Sequence, residues 1–245
     1  MTACWAYQTI SDRVEAVKAN IAAAALEAGR SPAEITLAAA TKTQPAETVR
    51  AAIAAGVSVC GENRVQELSG KAAQGAYDGA RLHFIGHLQT NKVNAVVGRV
   101  DLIESVDSPR LLRAIEARAA NLGVVQDILL EVNIAGEASK GGLSPAELLP
   151  LAQVAAASPS VRLRGLMCIP PPAAHPGDNR VFFAAAHHLF VDIRYKIEDN
   201  KSDMDTLSMG MSGDYEDAVR GGATLVRVGT ALFGPRPPRT RPENP

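Results

Sequence analysis

The sequence predicts a single α/β domain folded as a (β/α)8 barrel of the TIM type, with an extra N-terminal helix. Two observations carry this. Short apolar runs alternate with helix-length segments along the chain, and eight such runs can be marked. The length of 245 residues, 47% of them hydrophobic, suits one closed barrel, a fold that often reaches ~250 residues. Strict strand–helix alternation implies parallel strands with right-handed crossovers, and eight units in one domain fit a closed barrel better than an open sheet.

Ser11 to Gly29 is rich in Ala and places Val14, Val17, Ile21 and Leu26 at helical spacing, with Gly29 as a C-cap. This is the extra helix, expected to cover one end or flank of the barrel. The candidate strands follow at 35–42, 57–63, 82–86, 101–106, 127–133, 162–169, 204–211 and 225–230. The third and fourth are the weakest, and 101–106 also suits a helix. Helices are predicted over 45–55, 63–74, 87–98, 108–121, 144–157, 178–199 and 214–221. Thr43 with Glu47, Ser108-Pro109 and Ser144-Pro145 with Glu147 carry start signals. The domain is assigned to 1–234. The tail 235–245, rich in Pro and charge, is expected to be disordered, its Arg residues solvated rather than phosphate-binding.

Composition excludes several function classes. Lys plus Arg total 25 and Asp plus Glu 26, a net charge of −1, so no bulk field draws nucleic acid or anionic membranes. No apolar stretch approaches a membrane span, and the first residues lack a signal-peptide pattern. Cys4, Cys60 and Cys168 form no CxxC pair, and Cys60 and Cys168 sit in apolar runs as packing residues. A disulfide framework or zinc site is not expected, and a cytoplasmic location fits best.

The chemistry centres on Lys42, at the end of an apolar strand that stops at Gln44-Pro45. Burial makes an ammonium costly and lowers its pKa, which frees the amine to form a Schiff base. The alternative is a lysine that snorkels to the rim and does no chemistry. In such barrels the active site lies at the carboxyl ends of the strands. Those ends read Lys42, Asn63, His87, Asn133, Ser212 and Gly229-Thr230, polar groups on apolar strands. Period-two alternation on the last strand turns Arg227 into the barrel, where a guanidinium needs an acceptor. That acceptor is either a structural partner such as Glu131 or Glu62, or a bound ligand. The Gly-rich turns around Ser212 and Gly229-Thr230 resemble the phosphate cradle that barrels build after strands seven and eight. Asp214, Glu216 and Asp217 would repel an anion there, so they are expected to open the next helix, leaving phosphate to the strand-eight side. His175, His187 and His188 lack carboxylates at ligand spacing and read as surface or packing residues. Lys140 reads as a loop charge.

Together these segments resemble the YggS/PROSC family of pyridoxal-phosphate homeostasis proteins. The resemblance spans roughly 35 to 234. It rests on Ala-Thr-Lys42-Thr-Gln-Pro, Cys-Gly-Glu62-Asn63-Arg-Val-Gln-Glu67, His83-Phe-Ile-Gly86-His87-Leu-Gln89-Thr-Asn91-Lys92, Val-Asn133-Ile with Lys140-Gly141, Arg164-Gly-Leu-Met167, Leu-Ser208-Met-Gly-Met-Ser212 and Arg227-Val-Gly229-Thr230-Ala-Leu-Phe-Gly234. It implies that Lys42 holds pyridoxal 5′-phosphate (PLP) as a Schiff base. Ser212, Gly229 and Thr230 would hold the phosphate, Arg227 would face the pyridine nitrogen, and Asn63 would line the site. Thr41 and Gln44 replace the Ser and the second Lys of the usual Ser-Lys-Thr-Lys-Pro, which argues against a relay through a second amine at position 44. The fold resembles the barrel domain of alanine racemase, which carries a second domain with a catalytic Tyr from the partner subunit; with about eleven residues after Gly234, no such domain is expected here. The resemblance therefore implies a non-catalytic PLP carrier that serves apo PLP-dependent enzymes, with weak amino-acid racemase chemistry as the rival; the low net charge and the lack of a large apolar stripe fit a monomer, with a dimer as the alternative.

Overall fold

The computed structural model describes residues 9–137, 141–197 and 204–235. Lys140, Cys4 and nearly all of the predicted tail lie outside the described residues. Eight parallel strands close in chain order: β1 (Thr36–Ala40), β2 (Val59–Glu62), β3 (Arg81–Phe84), β4 (Leu102–Val106), β5 (Gln126–Val132), β6 (Val161–Cys168), β7 (Thr206–Ser208) and β8 (Leu225–Val228). The seam between β1 and β8 pairs Ala38 with Arg227, which joins the two ends of the sequence at one rim. Each predicted run overlaps its strand, including the two weakest, although β3, β5 and β6 begin one residue before the predicted start.

The helices are α1 (Ile10–Glu27), α2 (Ala46–Ala54), α3 (Val65–Ala72), α4 (Pro109–Leu122), α5 (Pro145–Ala157), α6 (Arg180–Lys196), α7 (Tyr215–Arg220) and the short α8 (Thr230–Phe233). Ser144 and Glu147 form a reciprocal capping box on α5. The Ser108 hydroxyl accepts from Leu111 N on α4. Thr43 is no cap: Pro45 holds the N-cap position of α2 without a side-chain cap, and Thr43 N donates to Glu67 Oε2 at 2.6 Å. The predicted helix 87–98 is only a 3-10 segment, Thr90–Ala95. Thr and Asn are poor helix formers, and no side chain caps its start.

Two apolar layers hold the barrel. The larger lies between sheet and helices and includes Val226, Val228, Ile103 and Leu130. Inside the barrel sit two small clusters, Ala38–Val59–Leu225 and Leu102–Leu129–Met167. Val14, Val17 and Ile21 of α1 join the outer layer, but Leu26 is 67% exposed and Ala24 and Ala25 are buried in its stead. α1 packs against α7 and α8. A register shift between β5 and β6 falls at Leu129, opposite Gly165 (φ 149°). A Cβ at Gly165 would lie 1.8 Å from the Thr206 carbonyl oxygen, so only glycine lets β7 approach.

Candidate functional site

Lys42 follows the end of β1 by two residues and is half-buried. The segment before it is fixed by a buried ionic knot on the helix side of the sheet. Thr41 N donates to Gly61 O at 3.0 Å, and its hydroxyl donates to Glu62 Oε1 at 2.6 Å. From α3, Lys71 Nζ donates to the Thr41 carbonyl and to Glu62 Oε1, both at 2.7 Å. The Tyr77 hydroxyl donates to the same Glu62 oxygen at 3.0 Å. Burial and the neighbouring Glu62 charge push the Tyr77 phenol far above its ordinary range. Lys42 faces the other way, into a small cavity shared with Ala40, Gln44, Gly229, Thr230, Phe233 and Gly234. Barrel closure thus brings Lys42 to the Gly229-Thr230 turn, 187 positions or more away in sequence but adjacent across the β1–β8 seam.

The same turn gathers Ser212. Its Oγ accepts from Gly229 N at 3.1 Å and from Ala231 N at 3.2 Å, at the start of α8. On the strand-seven side the donors are occupied. Asp214 Oδ1 accepts from Met211 N at 2.7 Å, Oδ2 accepts from Asn179 Nδ2 at 2.7 Å, and Asp217 pairs with Arg180 at 2.9 Å. Glu216 and Asp217 lie in the first turn of α7, as expected. The donors that collect on the strand-eight side therefore stand apart from these carboxylates, and Thr230 is exposed beside them.

Arg227 points into the barrel and is 4% exposed. Neither expected structural partner holds it. Glu62 is on the opposite face of β2, turned to α3, because its neighbour Gly61 takes the inward position. Glu131 acts on it only through its charge. Instead Arg227 Nη1 donates to Ser208 Oγ at 2.5 Å, Nη2 donates to Cys168 O at 2.9 Å, and Glu104 Oε2 lies 3.8 Å from Nη1. Burial pushes the Glu131 carboxyl above its ordinary value and Asp107 adds to this, against the opposing charges of Arg227 and His87.

Asn63 follows β2, and its buried Oδ1 has no hydrogen-bond partner, an acceptor turned toward no protein donor. Its backbone is pressed against Gly86: a Cβ there would lie 2.2 Å from the Asn63 carbonyl oxygen. Gly86→Ala is therefore expected to displace Asn63 and cost about 1–3 kcal/mol of stability, read as a lower thermal midpoint. An unchanged midpoint would show that the β2–β3 loops yield freely. The remaining rim positions do not converge. His87 is exposed and pairs with Asp107 at 3.3 Å. The Asn133 amide binds the Glu137 backbone in both directions, 2.8 and 3.2 Å, and so closes its own loop.

Sequence reasoning passed over Lys71, Tyr77, His83 and Glu104. The last two had a signal, since the alternation that turned Arg227 inward, applied to β3 and β4, turns His83 and Glu104 inward as well. Lys71 and Tyr77 had none, because only packing of α3 and its following turn brings them to Glu62. Among the described residues no cluster of His, Cys, Asp or Glu could hold a metal ion, and no helix is long and apolar enough to cross a membrane. Cys60 and Cys168 are buried, and burial pushes both thiols up to about 12.

Residues 13–237 match the family profile of the alanine racemase N-terminal domain. The pyridoxal phosphate homeostasis protein of Pseudomonas aeruginosa is 44% identical over 229 residues, covering 93% of this chain and 96% of that one. That of Aquifex aeolicus is 41% identical over 227 residues, with 92% and 97% covered. Among solved structures, PipY of Synechococcus elongatus with PLP bound superposes with a TM-score of 0.80 at 33% identity, covering 92% of this chain and all of that one. A barrel of this strand order, a lysine at the rim of β1 and near-full-length identity to these relatives lead to one assignment: the chain belongs to the family of pyridoxal phosphate homeostasis proteins, built on the alanine racemase N-terminal domain.

Proposed function

We propose that this chain binds PLP reversibly as a Schiff base on Lys42 and acts in PLP homeostasis as a carrier rather than a catalyst. The observation that carries the reading is the meeting of Lys42 with the Gly229-Thr230 turn at one rim, with Ser212 bonded to that turn and Arg227 two residues before it on β8. The Lys42 amine shares a cavity with Gly229 and Thr230. The Gly229 and Ala231 N–H groups, which donate to Ser212 Oγ in this structure, and the exposed Thr230 hydroxyl stand where a phosphate would take Ser212's place as their acceptor. Arg227, always protonated, offers donors and no acceptor to a ring nitrogen. The residues fit the cofactor on a further count, since the orphaned Asn63 Oδ1 is a buried acceptor with capacity to spare. When bound, PLP supplies an aldehyde that condenses with an amine, releasing water, and a pyridine ring that withdraws electrons.

The protein's own groups favour holding over turnover. Arg227 cannot accept a proton, so it disfavours a protonated ring and weakens the electron sink. The residues sharing the Lys42 cavity include no Tyr, His, Asp or Glu to serve as a second proton-transfer group. Tyr77 is committed to Glu62, and Tyr215 accepts from Asn20 Nδ2 at 3.0 Å. The partners that follow from a carrier role are apo PLP-dependent enzymes, served by a monomer in the cytoplasm.

The test is direct. The pure protein is titrated with PLP, its visible spectrum recorded, the adduct reduced with borohydride and the modified peptide mapped. A label on Lys42 is expected, with no measurable racemisation of L- or D-alanine. A label elsewhere, or none, overturns the attachment; turnover overturns the carrier role.

A further inference from the structure

A chain of buried polar groups crosses the barrel from the opposite mouth to Arg227. It begins at His83 on β3, which is 2% exposed and lines a cavity of about 400 Å³ at the amino ends of the strands. His83 Nδ1 lies 2.7 Å from Glu104 Oε1 on β4. The Ser208 hydroxyl, on β7, donates to Glu104 Oε2 at 2.6 Å and accepts from Arg227 Nη1 at 2.5 Å. The donors run in one direction: His83 Nδ1–H and Ser208 O–H both end on the carboxylate, and Arg227 ends on Ser208. Glu104 is completely buried. Burial pushes its carboxyl up, but the His83 hydrogen bond and charge, then Arg227 and Ser208, outweigh this and hold it below its ordinary value. A buried carboxylate is retained only where it is paired and hydrogen-bonded, and this one spends both oxygens on the path to Arg227.

We propose that Glu104 is the positioning residue of the cofactor site: through Ser208 it fixes the Arg227 guanidinium and supplies its counter-charge, with His83 holding Glu104 from the far mouth. This deepens the proposed function and rests on it, because Arg227 matters to a ligand only if PLP lies against it. Other charged groups face the path. Glu131 on β5 shares the interior and opposes nothing in the chain, being itself pushed toward its neutral form. Asp101, Asp127, Arg81 and Arg164 ring the amino mouth, where Asp127 is tied to Arg162 and Arg164 at 3.1 and 3.0 Å. Asp127 is thus engaged at the mouth, and Glu104 is the carboxylate in ion-pair range of Arg227 among the described residues.

The sign of the effect follows from charge. Without the Glu104 charge, Arg227 is an uncompensated cation beside the cofactor. It then disfavours any form of bound PLP that carries one more proton. Glu104→Gln should move the pH midpoint of the bound cofactor's visible spectrum down by about one unit and, because the Ser208-linked contact that positions Arg227 is weakened, reduce PLP affinity about tenfold. Ser208→Ala, which leaves the longer Glu104–Arg227 pair, should shift the midpoint the same way by less. Arg227→Met should shift it up. A loss of packing alone would lower the melting temperature of the PLP-free protein but would not move the midpoints in opposite directions.

Should Glu104→Gln fail to fold, the double variant Glu104→Gln/Arg227→Met removes both charges. It should reproduce the midpoint of Arg227→Met, because Glu104 acts through Arg227. A different midpoint, or a folded Glu104→Gln variant with the affinity and midpoint of the parent, overturns the proposal while the parent's colour with PLP keeps the cofactor reading intact. A parent that never acquires the band removes both.

Discussion

Lys42→Ala is expected to abolish the visible band that the parent gains with PLP and to leave no borohydride-stable label. The amine is the covalent anchor in the proposed function, and no other residue sharing its cavity carries one. Ser212, Gly229, Thr230, Arg227 and Asn63 remain, so the proposed phosphate and ring contacts would persist without the covalent bond. Residual binding should be weaker by a factor of ~100 or more, about 2.8 kcal/mol, and should exchange freely on dialysis. Fluorescence or calorimetric titration measures it. A Lys42→Ala protein that still reduces to a stable adduct would move the Schiff base to another lysine. The fold should be unaffected, because Lys42 lies beyond the last paired residue of β1 and is half-buried. An unchanged melting temperature in the PLP-free protein checks that the loss is chemical.

Breaking the knot behind Lys42 should have the largest effect on stability. Glu62→Ala leaves the Lys71 ammonium, 7% exposed, without its buried counter-charge. Lys71→Met leaves the Glu62 carboxylate with two hydroxyl donors, Thr41 and Tyr77, and no cation at 2.7 Å. Removing one partner of such a pair costs about 3–5 kcal/mol, a large part of the roughly 5–15 kcal/mol that holds a domain folded. At roughly 2–4 °C per kcal/mol for a domain of this size, the melting temperature should fall by about 6–20 °C. The double variant Glu62→Leu/Lys71→Met removes both charges and should recover much of that loss. Lys71 also holds the Thr41 carbonyl next to Lys42, so the double variant should label more slowly with PLP although it is stable. Single variants that melt within 2 °C or so of the parent would mean that water reaches the knot and replaces the missing partner.

The barrel was legible because its signals are local and repeated. Eight apolar runs of strand length, separated by helix starts such as Ser108-Pro109 and Ser144 with Glu147, leave few other ways to bury every apolar face. Boundaries were less so. The segment 87–98 carries buried Val93, Val96 and Val97 at helical spacing, but Thr90, Asn91 and Asn94 hold it to a 3-10 turn. Leu26 fitted the apolar stripe of α1, yet it is exposed, because small alanines let that helix sit closer to α7 and α8. Of the site, Lys42, Ser212, Gly229 and Thr230 lie together as their positions at strand ends required. The direction of Arg227 followed from period-two alternation, but its partner did not. Glu62 and Glu131 were the nearer candidates by motif, and Glu104 holds the place instead.

What the sequence determined by itself is the pattern: the number and order of strands, the rim lysine, the inward arginine and the Gly-rich turns. Each is set by period, spacing and residue type, which are properties of neighbours along the chain. Only the tertiary structure decided which charges meet. The Glu62–Lys71 and Glu104–Ser208–Arg227 contacts join elements separated by 9 to 104 residues. Burial makes such pairings strongly favourable or costly within a few ångströms, because an interior of low dielectric does not screen a misplaced charge. Closure of the β1–β8 seam fixes those ångströms, and it is the same closure that sets Lys42 beside Gly229 and Thr230.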